Sequence, residues 1–134
     1  MELLDLITGS LRDIGVIDAT QAPSAEQGAN ALRNLNNLMA SLAEDDVDLG
    51  YAPTDDIAGE IALPLGHVST IQSLLALKEA SDRGIDAPEL VVATATSGRQ
   101  RLLKQAIQLQ IGRTVSETLP LGNCQISGSF NTAF

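Results

Sequence analysis

The chain has 134 residues, of which 44% are hydrophobic and only 2% aromatic, and its formal net charge is −9. This length and apolar content suit one domain with a single core. The excess of acidic residues argues against general binding to nucleic acid, because gripping the phosphate backbone depends on Lys and Arg.

The cysteine content, the first residues and the lengths of the apolar runs indicate the cellular compartment. One cysteine, Cys124, excludes an internal disulfide framework. The opening residues MELLDLITGS are acidic where a signal peptide would be basic. No apolar run reaches the roughly 20 residues that a membrane span requires. We therefore expect a soluble protein, synthesised in a reducing cytoplasm and without a membrane partner.

The first predicted helix runs from about residue 2 to about residue 14. Its apolar residues are three or four apart, which places them on one face of a helix: Leu4, Ile7, Leu11 and Ile14. Gly15 follows where a C-terminal cap belongs.

A second helix is predicted to start after Pro23, because Ser24-x-x-Gln27 has the form of a capping box. Its apolar stripe comprises Leu32, Leu35, Met39 and Leu42. Asparagine is a mediocre helix former, so the polar residues of this helix indicate either a polar contact surface or ordinary solvated surface. They are Asn30, Arg33, Asn34, Asn36 and Asn37.

Residues 44–60 break the helical pattern, with seven acidic residues and no basic one. Alternation along Val47, Leu49 and Tyr51 favours a short strand. Its partner would be supplied by Ile57, Ile61 and Leu63. We expect a hairpin-like excursion between the second and third helices.

Two more helices are predicted in the second half of the chain. The third follows ALPLGH, continues to about Asp82 and stops at Gly84. The fourth opens near Asp86 and Pro88 and runs to about Ile111. Its apolar positions are Val91, Ala95, Leu102, Ala106 and Leu109, and Gly98 marks either a bend or a close helix crossing.

The predicted architecture is an all-α four-helix bundle over residues 1–112, followed by an extended C-terminal arm over residues 113–134. The arm is rich in Ser, Thr, Gly and Asn, and it lacks the apolar content to order itself. It nevertheless holds both phenylalanines of the chain, Phe130 and Phe134. A Phe on a free tail contributes about 1.5–3 kcal/mol only once it is buried, so we expect these rings to anchor the arm on a partner.

No catalytic, cofactor or metal site is predicted. The acidic residues from Asp45 to Asp56 do not match an EF-hand loop, because no Glu stands at the twelfth position counted from either Asp45 or Asp46. His67 is the only histidine, and no phosphate-binding glycine loop occurs. We expect no enzyme, since catalysis would have to rest on carboxylates alone, such as Asp55 and Glu60.

The charges are unevenly distributed. Half of the basic residues lie in the last third, while the acids gather in residues 44–60. This polarity either favours head-to-tail contact between identical copies or serves solubility alone. The predicted inter-subunit residues are Arg99, Arg101 and Lys104 on one side and Asp45, Asp46 and Asp48 on the other.

Three short motifs follow one another along the chain: the turn Ile14-Gly15-Val16, the run Leu32-x-x-Leu35-Asn36 and the stretch Leu63-Pro64-x-Gly66-His67. In this order they resemble the head-to-tail adaptor family of tailed bacteriophages, the tail accessory factors or packaged-DNA stabilisation proteins of short-tailed phages. The family's Leu-Gly-Val-like turn after the first helix is matched by residues 14–16. Its Leu-x-x-Leu-Asn core is matched by Leu32, Leu35 and Asn36. Its Leu-Pro-x-Gly-His/Tyr entry to the third helix is matched by residues 63–67. The family's tryptophan at the end of the second helix is missing, which leaves the subfamily open.

The resemblance implies a structural subunit of the virion neck that forms a dodecameric ring under the portal protein. Such a ring extends the DNA channel without sequence-specific binding, retains packaged DNA and supports a tail nozzle or tail hub protein. In the family the C-terminal segment embraces the portal. Here that role would fall to Leu119, Leu121, Ile126, Phe130 and Phe134. The alternatives are an adaptor or head-completion protein of a long-tailed phage and a monomeric helical partner-binding module.

Overall fold

The computed structural model describes the backbone of residues 1–118 and the side chains as far as residue 111. It contains four helices: α1 (Leu3–Asp13), α2 (Ala25–Glu44), α3 (Leu65–Arg83) and α4 (Glu89–Thr118). No strand occurs within these residues. The predicted all-α, four-helix architecture is confirmed.

The helix ends follow the capping chemistry of the sequence. At the start of α2 the Ser24 hydroxyl accepts from the Gln27 amide at 3.2 Å, and the Gln27 side chain accepts from the Ser24 amide at 2.8 Å. Gly84 ends α3 in the left-handed region, at φ 68°. The predicted capping box and the predicted stop of α3 are both confirmed.

The core forms around α3, which packs against each of the other three helices, whereas α4 packs mainly on α3. On α1, Leu3 is buried, whereas Leu4, which the sequence places on the apolar face of this helix, is 38% exposed. Each Leu or Ile that is fully buried contributes about 1.5–3 kcal/mol relative to an exposed one. The large apolar residues that are fully buried are Leu3, Leu6, Ile7, Leu11, Leu35, Leu42, Ile71 and Leu75.

The crossing of α3 and α4 depends on Gly98, which is buried. A Cβ atom at Gly98 would lie 2.8 Å from the Cβ of Thr70, and closer still to the hydroxyl and methyl of that side chain. The missing side chain therefore permits the two helices to approach closely. Of the two predicted roles of Gly98, a bend or a close crossing, the structure has the close crossing.

The excursion between α2 and α3 is present, but the strand pair predicted within it is wrong. The backbone near Ile61 bonds to the N-terminus instead. The amide of Ile61 donates to the carbonyl of Met1 at 2.9 Å, and that of Leu3 to the carbonyl of Gly59 at 3.0 Å. Backbone groups that a hairpin would need are therefore used by the N-terminus rather than by residues 47–51.

The last helix is longer than predicted, because α4 continues past Ile111 to Thr118. Leu109, one of the predicted apolar positions of this helix, has 71% of its surface exposed. It lies on the core-facing side of the helix by its spacing from Leu102 and Ala106, but α4 extends beyond the end of the bundle there. The division into a bundle of residues 1–112 and an arm of residues 113–134 stays a prediction. None of the helices within residues 1–118 is long and apolar enough to cross a membrane.

Candidate assembly surfaces

Two of the predicted inter-subunit residues meet within one chain. The Arg99 guanidinium lies 3.0 Å from the Asp45 carboxylate, and both side chains are about two-fifths exposed, at 40% and 41%. This pair joins α4 to the C-terminal end of α2. An exposed pair of this kind contributes about 0.2–1 kcal/mol, so it fastens the two helices only weakly.

The other predicted inter-subunit residues are exposed and stay apart. Arg101 and Lys104 form no ion pair with any side chain up to residue 111. The Asp48 carboxylate accepts from the Gly50 amide at 2.9 Å and so supports the local turn. Asp46 has a positive φ of 64° at the end of α2. Because Arg101 and Lys104 are exposed, these two cations of α4 are accessible to a partner.

The predicted partner-binding residues Leu119, Leu121, Ile126, Phe130 and Phe134 lie outside the described residues. Their contact with a portal or a neighbouring subunit stays a prediction.

The polar residues of α2 are used mainly inside the chain. The Asn34 amide donates to Glu79 at 2.6 Å and to Asp82 at 2.7 Å, which links α2 to α3. Glu79 is 1% exposed and also accepts from Arg83 at 3.4 Å. From the sequence, the polar residues of α2 indicated either a contact surface or a solvated surface. Asn34 instead connects α2 to α3 through its hydrogen bonds.

Asn36 holds the excursion against α2. Its amide nitrogen donates to the Thr54 carbonyl at 3.0 Å, and its amide oxygen accepts from the Tyr51 hydroxyl. Partial burial raises the pKa of Tyr51 above its ordinary value of 10.0. A polar clamp therefore fastens residues 51–54 of the excursion to α2, while residues 59–61 bond to the N-terminus through the backbone.

An apolar groove lies between α1, the first half of α2 and the excursion, with a volume of about 590 Å³. We call it the α1–α2 groove. Its lining is mainly small and aliphatic with two charged residues, and includes Leu4, Ala25, Ala29, Leu32, Ile57, Arg33 and Asp55. Sequence reasoning missed this groove. The one sign of it in the sequence is the set of small residues at the start of α2. In the structure, a Cβ on Gly28 would lie 2.7 Å from Ile57.

A second apolar surface lies on the solvent side of α4. Ile107 and Ile111 lie about one helical turn apart and are both exposed. Exposed Lys104 lies on the same side, one turn before Ile107, and we call these three residues the outer stripe. By helical spacing the stripe faces away from the buried row of α4, which comprises Val91, Ala95, Leu102 and Ala106.

The outer stripe is confined to the later part of the helix. Toward the N-terminus of α4 the same side carries small or polar exposed residues, namely Ala93, Thr96 and Gln100. The spacing of Ile107 and Ile111 is visible in the sequence, but their exposure is not.

A smaller cleft lies where the excursion meets α3 and α4, with a volume of about 240 Å³. It is lined by Val47, Leu49, His67 and Leu109, among others. Among the side chains that the structure describes, which end at residue 111, no group of three or more His, Cys, Asp or Glu residues is placed to hold a metal ion.

Comparison with known proteins gives one family. The family model for the P22 tail accessory factor matches residues 4–133, which is nearly the whole chain. A comparison with individually curated proteins gave no match. The predicted resemblance to the tail accessory factors is confirmed. An all-helical domain with exposed apolar surfaces is consistent with it. The chain thus belongs to the P22 tail accessory factor family and has a structural role associated with the tail of a phage.

Proposed function

We propose that the chain is a head-to-tail adaptor of a short-tailed phage. Identical copies form a ring under the portal protein, extend its DNA channel, retain the packaged DNA and offer a platform to a tail nozzle or tail hub protein. The observation that carries the proposal is the family match over residues 4–133. The dodecameric copy number is part of the proposal, since it comes from the resemblance alone.

The physical character of the subunit supports this role. A ring of identical copies needs two different surfaces on each subunit, one for each neighbour. The chain offers two apolar surfaces that share no residue, the outer stripe of α4 and the α1–α2 groove. It also offers exposed cations on α4 and an excess of acids elsewhere.

The net charge of −9 suits a channel for DNA. Carboxylates that line the channel repel the phosphate backbone, so that DNA slides past without being held. The acids of residues 44–60 are the most concentrated source of such charge in the chain. We propose that they face the channel or the adjoining subunit rather than the capsid exterior.

The C-terminal segment completes the proposal. Leu119, Leu121, Ile126, Phe130 and Phe134 are its apolar anchors on the portal or on a neighbouring subunit. Removal of a Phe ring from an apolar pocket costs about 1.5–3 kcal/mol, which corresponds to roughly a 10- to 150-fold loss of affinity.

The test is co-sedimentation with portal rings of the same phage. The full-length chain is compared with a chain that ends at Pro120 and with a Phe130→Ala/Phe134→Ala variant. We expect the full-length chain to sediment with the portal at one copy per portal subunit, and both altered chains to remain largely in the supernatant. Circular dichroism checks that all three keep the same helical content.

Two results would count against the proposal. If the full-length chain stays monomeric and does not bind the portal, the chain is better explained as a partner-binding module. If the chain that ends at Pro120 binds as well as the full-length one, the adaptor role stands but the anchoring role of the C-terminal segment is lost.

A further inference from the structure

The outer stripe of α4 needs a partner. A helix on the surface of a monomer normally turns a polar face to water. In α4 the side turned to the core is apolar, and the opposite side exposes Ile107 at 54% and Ile111 at 58%. Two aliphatic side chains four residues apart match the anchor spacing of a helix that docks in a groove.

The α1–α2 groove has the complementary shape and lies on a different part of the subunit. It is built from α1, α2 and the excursion, and none of its described lining residues belongs to α3 or α4. It is concave and mainly apolar, with Ala25 and Ala29 on one wall, and these small side chains leave room for a helix. One chain thus carries both a projecting apolar helix face and an apolar groove, as a head-to-tail contact requires.

The charges beside the two surfaces are opposite. Lys104 lies one turn before Ile107 on the outer stripe and has no ion-pair partner among the described side chains. Asp55 lines the groove, is exposed and is not in an ion pair with any described residue either. Among the described residues that line the groove, the one cation is Arg33, which donates to Asn30 on its own helix at 2.8 Å. When Ile107 enters the groove, Lys104 is carried toward the same surface, where opposite charge favours the correct docking over others.

We propose that the outer stripe of α4 docks in the α1–α2 groove of a second copy of this chain. Ile107 and Ile111 fill the groove beside Ala29, and Lys104 pairs with Asp55 of the neighbour. The contact is heterologous, so it propagates from copy to copy. The proposed contact specifies how neighbouring subunits of the proposed ring meet. Only the closure of the ring rests on the proposed function, because two free copies of the chain can form the pairwise contact by themselves.

Disulfide trapping tests the contact in the free chain. In a full-length background with Cys124→Ser, one variant carries Ile107→Cys and the other Ala29→Cys. Mild oxidation of the mixture is expected to give a covalent dimer, because even a brief encounter is captured once the two thiols meet. The matched control replaces Ile107→Cys by Leu109→Cys, which is also exposed but lies on the core-facing side of the same turn. Equal dimer yields from the two mixtures would overturn the proposal.

Blocking variants test the direction of assembly on portal rings. Ile107→Asp spoils the outer stripe and Ala29→Arg spoils the groove, and each alone is expected to lower the amount of chain bound per portal at least tenfold. Mixed, they retain one intact contact and are expected to form a one-to-one dimer that grows no further. Full assembly by Ile107→Asp, or loss of assembly by Leu109→Asp in its place, would contradict the proposed surface.

The two tests separate this inference from the proposed function. A specific crosslink with no portal binding supports the contact and counts against the adaptor role. Portal binding without a specific crosslink, and with Ile107→Asp assembling normally, supports the adaptor role and places the subunit contact elsewhere.

Discussion

At the scale of single residues, glycine at position 98 sets the distance between α3 and α4. Gly98→Ala places a methyl group against Thr70, whose side chain is short and stiff and cannot move aside. We expect the free energy of unfolding to fall by about 1–3 kcal/mol, despite the better helix propensity of Ala. Chemical denaturation measures the change.

Two variants serve as controls for Gly98. At Gly66, in the first turn of α3, nothing lies within 4 Å of a Cβ atom, so Gly66→Ala should be neutral or stabilising. Thr70→Ala removes the two nearest atoms and should recover part of the loss when combined with Gly98→Ala. If Gly98→Ala were as stable as the wild type, the close crossing would not be a constraint.

Tyr51 couples the stability of the chain to alkaline pH. Its pKa is raised in the folded state because burial disfavours the charged phenolate, whereas the unfolded chain ionises at the ordinary value of 10.0. Below that pH both states are neutral and Tyr51 adds no pH dependence. Above it the unfolded state loses its proton first, so the free energy of unfolding falls as the pH rises through the folded pKa.

Tyr51→Phe provides the comparison, because it cannot ionise and also lacks the hydrogen bond to Asn36. We expect this variant to lose the part of the alkaline slope that Tyr51 causes. Tyr51 is the only tyrosine and the chain has no tryptophan, so tyrosinate absorbance reports this one residue. A midpoint of that absorbance at or below the ordinary value would contradict the prediction.

At the scale of helices and their contacts, Glu79 joins α2 to α3 from a buried position. Its carboxylate accepts from Asn34 at 2.6 Å and from Arg83 at 3.4 Å. Glu79→Ala removes an acceptor in a place that water does not reach, and we expect a loss of about 1–3 kcal/mol in the free energy of unfolding. Asp82 accepts from the same Asn34 amide but is exposed, so Asp82→Ala should cost less.

Denaturation of Glu79→Ala, Asp82→Ala and the double variant measures how the two acceptors share the Asn34 amide. The expected order has Glu79→Ala well below Asp82→Ala in stability, and the two losses should not add, because the variants share one donor. Equal losses from the two single variants would indicate that burial of Glu79 is unimportant.

The helices themselves were predictable because their information is local. The capping box of Ser24 and Gln27 and the helix stop at Gly84 each act within a few residues. The same holds for the apolar spacing along α2, and the structure uses all three as expected. That spacing comprises Leu32, Leu35, Met39 and Leu42. The excursion was not predictable in the same way. Alternating Val47, Leu49 and Tyr51 fit a strand, but burial of Val47 in the core and the clamp of Asn36 on Tyr51 depend on residues that tertiary packing brings together.

The candidate surfaces were predicted only in part, for the same reason. Cations on α4 and acids near residue 45 were visible in the sequence, but their pairing within one chain through Arg99 and Asp45 was not. Exposure of Ile107 and Ile111 was not visible either, since a sequence does not show which side of a long helix lacks a neighbour. The α1–α2 groove needs three separated segments to exist at all.

At the scale of the whole molecule, the cations of α4 up to residue 111 are of two kinds. Arg99 is paired with Asp45 inside the chain, while Arg101 and Lys104 have no such partner among the described side chains. Assembly through opposite charge between copies should therefore depend on the second kind. Because Arg99 is already paired within its own chain, we expect it to contribute little to contact with a neighbouring copy.

Charge reversal separates the two kinds. Arg101→Glu combined with Lys104→Glu should slow or weaken assembly on portal rings and leave the fold intact, because both side chains are exposed. Arg99→Glu should instead lower the free energy of unfolding by about 0.2–1 kcal/mol and change assembly little.

Raising the salt concentration from low to physiological should reduce the difference in assembly between the wild type and the double variant, since exposed charges are screened. Sedimentation of the bound chain at the two salt concentrations, beside denaturation of each variant, makes the measurement. If Arg99→Glu abolished assembly while the double variant assembled normally, the pairing of Arg99 with Asp45 would have to exchange between copies, with each Arg99 meeting the Asp45 of its neighbour in the ring.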